Sequence, residues 1–142
     1  MAVFPNRVPN LQQVGPIIEI IILPPQPVYD SLRALGKPIL QKKVIALIDT
    51  GASGSCINND IATELGLIVR NSVTVGTPAG PTKQDLYDAG IALPNLTRNI
   101  FPVTVCGANL GGQPYAALLG RDILSQCTLI YNGWDNSYQL HI

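Results

Sequence analysis

Short apolar runs separated by glycine, proline and asparagine recur along the chain, a pattern that predicts strands more often than helices. Val44 to Ile48 is an unbroken run of five apolar residues, read as a strand buried on both faces. Ile17 to Leu23 comes before it, introduced by Gly15-Pro16 and ended by Pro24-Pro25-Gln26-Pro27. Val73-Thr74-Val75 alternates, meets the turn cluster Gly76 to Pro81, and resumes through Leu86, Tyr87 and Ile91, which predicts a hairpin over residues 73–91. Ile100 to Cys106 sets Phe101, Val103 and Val105 against Thr104 and Cys106. Ser55 to Asn58 and Tyr115 to Leu119 read as further strands. Thr128 to Tyr131 and Ser137 to Ile142 flank Asn132-Gly133, a hairpin turn signal.

Helical signals are few. Asp60 to Leu65 has Asn58 or Asn59 as cap and Gly66 as terminator, and Arg121 to Gln126 is a second short segment. Val28 to Lys37 has room for one turn around Tyr29, Leu32 and Leu35. Residues 1–14 carry Pro5, Pro9 and Asn10 and read as an extended or partly disordered arm. The rest, 15–142, is expected to be one mostly β domain with one or two short helices. Within it, residues 24–43 form a connection of roughly 20 residues, longer than connections usually are. It is either a surface insertion or a flange on a binding cleft.

Composition sharpens this picture. With 142 residues, 46% hydrophobic and 13% charged, the chain can bury the core of one domain. Lys+Arg and Asp+Glu balance at nine each, and no basic run exceeds Lys42-Lys43, which argues against nucleic acid or an anionic membrane as partner. Low charge density mildly favours an oligomer. Ile17 to Leu23 is too short to span a membrane, and residues 1–14 lack the basic-then-apolar order of a signal peptide, so the cytoplasm is the expected compartment. Cys56, Cys106 and Cys127 stand singly and read as reduced core residues. His141, the only histidine, is penultimate, so neither a metal site nor a cysteine or serine nucleophile is supported. No metal or cofactor is expected.

The candidate chemistry lies at Asp49, an ionisable group at the tip of the Val44 to Ile48 strand. A carboxylate placed there costs free energy unless it is hydrogen-bonded. Hydroxyls and N–H groups from Thr50 to Ser53 are at hand, and Thr50-Gly51-Ala52-Ser53-Gly54 is small enough to let another backbone come close.

The apolar strand with Asp49-Thr50-Gly51-Ala52-Ser53 resembles the active-site loop of aspartic peptidases. Roughly 70 residues on, Ala117-Leu118-Leu119-Gly120-Arg121-Asp122-Ile123-Leu124 resembles the segment that closes that loop in retropepsin-like, single-lobe members. The resemblance runs from about Gly15 onward. It implies an acid-protease closed β-barrel with one lobe per chain. It implies that Asp49, Thr50 and Gly51 are catalytic, Thr50 linking two loops through its hydroxyl and Gly51 meeting substrate backbone. Ala52 and Ser53 would bind substrate, as would Thr77, Pro78, Ala79 and Gly80 at the tip of a flap, the 73–91 hairpin. Leu118, Leu119, Gly120, Arg121 and Asp122 would support the catalytic loop. Arg121 would brace it from beneath, and Asp122 would cap the short helix. Viral relatives carry an Asp where this chain has Ser53, so Arg121 needs a different acceptor.

Metal-free peptide hydrolysis uses two carboxyl groups that share one proton. This chain has one Asp-Thr-Gly and no Asp-Ser-Gly, so the resemblance implies a homodimer with two Asp49 residues, a peptide or unfolded-protein substrate, and inhibition by pepstatin. Ser137 to Ile142 is a candidate intersubunit strand or, equally, an edge strand within the chain. Two rivals stand beside this reading. One is a catalytically inactive retropepsin-like module for dimerisation or peptide binding. The other is an unrelated β-barrel binding protein whose Asp49 caps a turn.

Overall fold

Ten strands and four helices follow one another in the computed structural model, which describes residues 2–142. They are β1 (Val3–Arg7), α1 (Leu11–Val14), β2 (Ile17–Leu23), α2 (Gln26–Ala34), β3 (Lys42–Ile48), β4 (Cys56–Asn58) and α3 (Asn59–Glu64). The second half holds β5 (Val69–Thr77), β6 (Gly80–Ala92), β7 (Ile100–Ala108), β8 (Ala117–Leu119), α4 (Arg121–Leu124), β9 (Thr128–Asn132) and β10 (Ser137–His141). The chain is mostly β, as the apolar pattern predicts. It carries two helices that the pattern understates. In α1, the Asn10 side chain accepts the Gln13 N–H and Gly15, at φ +78°, ends the helix. α2 runs for nine residues with proline in its first turn and buries none of its side chains.

Strands β2, β3, β8, β4, β7, β6 and β5 are hydrogen-bonded neighbours in that order, and β2 also pairs with β6, so the order returns on itself. Ile18, Ile20 and Ile22 of β2, Ala46 of β3, Ile57 of β4, Val105 of β7 and Leu119 of β8 point inward and are almost wholly buried. Each large side chain among them contributes about 1.5–3 kcal/mol by leaving water. β3 differs from the expected strand buried on both faces. Ala46 and Ile48 face the core, whereas Ile45 is 38% exposed and Leu47 is half-buried over Gly15. One layer of sheet has only one core side, and an apolar run on its own does not reveal which side is wet.

β1, β10 and β9 form a separate three-stranded sheet with β10 in the middle. The N-terminal arm is therefore a paired strand at residues 3–7. Ser137 to His141, offered above as an intersubunit strand, has both its edges filled by its own chain. Alternation marks the buried face, Tyr138 and Leu140, but not the partner. The buried Tyr138 ties this sheet to β2: its hydroxyl donates to the Ile17 carbonyl (2.6 Å) and accepts from the Ile17 N–H (2.9 Å) and Asn6 Nδ2 (2.7 Å). Asn132-Gly133 is not a two-residue turn. Residues 133–136 connect β9 to β10, with Asn136 at φ 62°.

The predicted hairpin is present and longer than expected, β5 against β6 from Val69–Tyr87 to Thr77–Gly80, with Pro78-Ala79 at the tip. Residues 24–41 leave β2 and re-enter β3 beside each other, since Ile22 pairs with Lys42. Their helix α2 walls an apolar cavity of about 460 Å³ with Pro24, Leu40, Leu65 and Leu67. Among the described residues, no helix is long and apolar enough to cross a membrane.

Candidate active site

The site is built where β8 lies between the two strands that flank the Asp49 loop. β8 runs parallel to β3, with Ile48 opposite Leu119, and antiparallel to β4, with Cys56 opposite Leu118. The chain leaves β3 at Asp49, loops through residues 50–55 and returns as β4, so β8 threads the space between them. At the tip, the Asp49 N–H donates to the Leu119 carbonyl (2.9 Å). The predicted supports Leu118 and Leu119 are thus the strand on which the loop hangs, and Leu119 is fully buried.

Three further contacts fix the loop. The backbone N–H of Arg121 donates to the Ala52 carbonyl (2.9 Å), and its Nη1 donates to the Thr50 carbonyl (2.7 Å). The acceptor that Arg121 required is therefore loop backbone. The Ser55 hydroxyl accepts the buried N–H of Gly120 (3.0 Å) and donates to Asp122 Oδ1 (2.8 Å), while the Ser55 N–H donates to Asp122 Oδ2 (2.9 Å). Asp122 also accepts the N–H of Ile123 (2.9 Å), so it serves its own helix and the loop at once. Gly120 passes so close that a Cβ there would lie 2.5 Å from the Gly54 carbonyl carbon. This is the close approach the small residues were expected to permit.

Asp49 is half-buried, with Oδ1 accepting the Gly51 N–H at 2.9 Å. Gly51 is tight against it, since a Cβ there would lie 3.1 Å from Oδ1. No cation is paired with Asp49 among the described residues; the ion pairs are Arg7–Asp135, Lys42–Glu64, Lys43–Glu19 and Arg70–Asp88. Thr50 and Ser53 are exposed beside it, and Ala52 is half-buried. Asp49 and Thr50 line a cavity of about 530 Å³ with Leu47, Tyr115, Leu129, Tyr131 and the Gln12–Gln13 turn of α1. Asp49 is the only carboxylate on its wall among the described residues.

The hairpin tip is not part of that cavity. Of Thr77, Pro78, Ala79 and Gly80, none lines it, and Thr77 lines a different one with Asn59, Thr63 and Tyr87. The tip is braced internally, the Thr77 hydroxyl donating to the Gly80 carbonyl at 2.6 Å, with Gly80 at φ +112°.

Ser55 escaped the sequence reading. A second serine after Ala-Ser-Gly is the only trace of it, and nothing there says that it is buried. Tyr115 and Tyr131 were likewise beyond reach, because they come to Asp49 from distant strands. The thiols are poor nucleophiles. Burial pushes Cys56 up to about 12, with Cys106, its neighbour across β4 and β7, adding to the effect, and burial raises Cys106 and Cys127 as well. No group of three or more His, Cys, Asp or Glu side chains is arranged to hold a metal among the described residues.

A sequence model of the family described as aspartyl protease matches residues 38–123, more than half of the 142. The chain belongs to the aspartyl protease family. Among solved structures, it is similar to a retropepsin-like aspartic protease from Rickettsia conorii, with 17% identity and a TM-score of 0.49 over 88% of this chain and 91% of that one. It is also similar to a protein of unknown function from Legionella pneumophila subsp. pneumophila, with 19% identity and a TM-score of 0.39 over 59% of this chain and 75% of that one. No curated protein matches it significantly in sequence. Family membership gives the chain a protease-like role.

Proposed function

We propose that the chain is a single-lobe aspartic endopeptidase, active as a homodimer whose two Asp49 carboxyl groups form the catalytic dyad. The observation that carries this reading is the placement of Asp49. It sits half-buried at a strand tip, is oriented by the Gly51 N–H, and faces a cavity with no other carboxylate on its wall.

One carboxyl of the dyad is ionised and the other protonated, because close like charges do not both ionise easily. The ionised group takes a proton from water as the water oxygen bonds to the scissile carbonyl carbon. The protonated group gives its proton to the carbonyl oxygen. The tetrahedral diol then collapses: the C–N bond breaks, a proton passes to the leaving nitrogen, and the dyad regains its one shared proton. Arg121, Ser55 and Gly120 position the loop without touching the reacting atoms. Ala52, Ser53 and the 77–80 hairpin tip are assigned to the substrate, the tip closing over it in the assembled dimer.

The test is cleavage of an unfolded protein at acid pH, with and without pepstatin, beside the Asp49→Asn chain. Cleavage blocked by pepstatin and absent from the variant supports the reading. A folded chain with no cleavage from pH 2 to 7 that still binds peptide would point to an inactive binding module.

A further inference from the structure

β10 is filled on both sides by its own chain, so the three-stranded sheet can grow only at β1 or β9. The two edges differ. Ala2 and Ile142 exchange both backbone hydrogen bonds, and the Val8 N–H donates to Asn136, in the same register that pairs Phe4 with Leu140. Ladder bonds alternate along an antiparallel pair, so Phe4 and Asn6 bond inward while Val3, Pro5 and Arg7 turn their backbone groups outward. Pro5 has no N–H to give. The N–H of Arg7 is taken by the Asn6 side chain at 2.9 Å. The β1 edge is nearly closed to a new strand.

The β9 edge is open. The same alternation makes β10 bond to β9 through Ser137, Gln139 and His141, opposite Asn132, Ile130 and Thr128. Leu129 and Tyr131 then present their N–H and C=O groups outward. β9 has no proline and no charge, and Ile130 is 47% exposed, Tyr131 51% and the following Trp134 95%. Natural edge strands usually carry a lysine, a proline or a bulge to prevent pairing, and β9 carries none of them.

We propose that the occupant of this edge is β9 of a second copy, paired antiparallel about a two-fold axis at Ile130. The proposal rests on the homodimer reading above and supplies its interface. In this register Leu129 faces Tyr131 of the second copy, so outward donors meet outward acceptors and each pair can exchange both bonds. Ile130 faces its own counterpart in a close, non-hydrogen-bonded pair, an apolar match with no like charge to oppose it. Leu129 and Tyr131 also line the cavity that holds Asp49. An axis perpendicular to the sheet keeps both cavities on one face, so the pairing draws a second Asp49 toward a site that has only one.

Two variants of the exposed Ile130 test this by sedimentation over a range of concentrations. Ile130→Lys sets two like charges across the axis and is expected to weaken dimerisation at least about tenfold, or about 1.4 kcal/mol, without lowering the thermal midpoint of the monomer. Ile130→Cys, on a Cys127→Ser chain, is expected to give a disulfide-linked dimer with copper–phenanthroline as oxidant, because such pairs lie within disulfide reach. Val3→Cys on the β1 edge is the control and should stay unlinked. If wild type is a dimer and Ile130→Lys dimerises as well, with Ile130→Cys unlinked, the β9 interface is wrong and the homodimer stands. If wild type is monomeric at every concentration and still cleaves, the homodimer reading falls with it.

Discussion

Ser55 and Asp122 are joined twice, backbone N–H to Oδ2 at 2.9 Å and hydroxyl to Oδ1 at 2.8 Å. Ser55 is also the buried polar residue among the described residues, and its hydroxyl is the acceptor for the Gly120 N–H. Both segments that build the site therefore depend on one small side chain.

Ser55→Ala should destabilise the chain by about 1–3 kcal/mol, the cost of leaving a buried donor without a partner. Urea denaturation measures this as a lower midpoint with an unchanged slope. A change within experimental error would mean that the Gly120 N–H finds another acceptor.

Gly120→Ala tests the close approach of the loops. The added carbon would sit 2.6 Å from the Gly54 carbonyl oxygen and 2.9 Å from the Ser55 nitrogen, both backbone atoms that move only with the loop. A loss of about 1–3 kcal/mol is expected, as for overpacking elsewhere, together with lost cleavage because Asp49 shifts with the loop. Wild-type activity in this variant would show that the loop tolerates displacement.

Subunit mixing tests the shared dyad. Asp49→Asn should fold and dimerise normally and be inactive. In an equimolar mixture with free exchange, wild-type homodimers are about a quarter of the population by random pairing, which mass action permits. Activity should drop to that fraction. Activity near half of the wild-type value, with exchange confirmed by a tagged subunit, would mean that each chain works alone.

Two pH dependences are expected. A dyad needs one proton, so activity should be bell-shaped and fall on the alkaline side; in pepsin the pair titrates at about 1.5 and about 4.7. Stability should have its own alkaline limb from Cys56. Its folded value, about 12, lies above the ordinary 9.0, so the folded chain keeps a proton that the unfolded chain has lost between those values. The contribution is whole below about pH 9 and is lost as pH rises through 12. Cys56→Ala should flatten the fall in thermal midpoint relative to wild type, and parallel curves would remove Cys56 as the cause.

Much of the site was legible because its parts are local. Asp49 at the end of an apolar run, small residues after it and a glycine before Arg121 each follow from neighbours in sequence. Ser55, Tyr115 and Tyr131 were not, since burial and proximity to Asp49 arise only when β8 slides between β3 and β4 and when β9 comes back past α1. The position of β10 escaped for a similar reason: Tyr138 and Leu140 announce a buried face, while the strands on either side are chosen by register. α2 was underread because its apolar residues cover a cavity without being buried, so they leave a weak helical stripe.

The segment between β2 and β3 has one more consequence. Ile22 and Lys42 are cross-strand partners, so residues 24–41 are a detour that begins and ends at one point of the sheet. Closing a detour costs chain entropy that grows only logarithmically, about 0.6 kcal/mol for each doubling of its length. Lengthening, shortening or exchanging this stretch therefore leaves the registers of β2 and β3 untouched and changes stability only slightly. It is the position at which the chain can accept a foreign segment without disturbing Asp49.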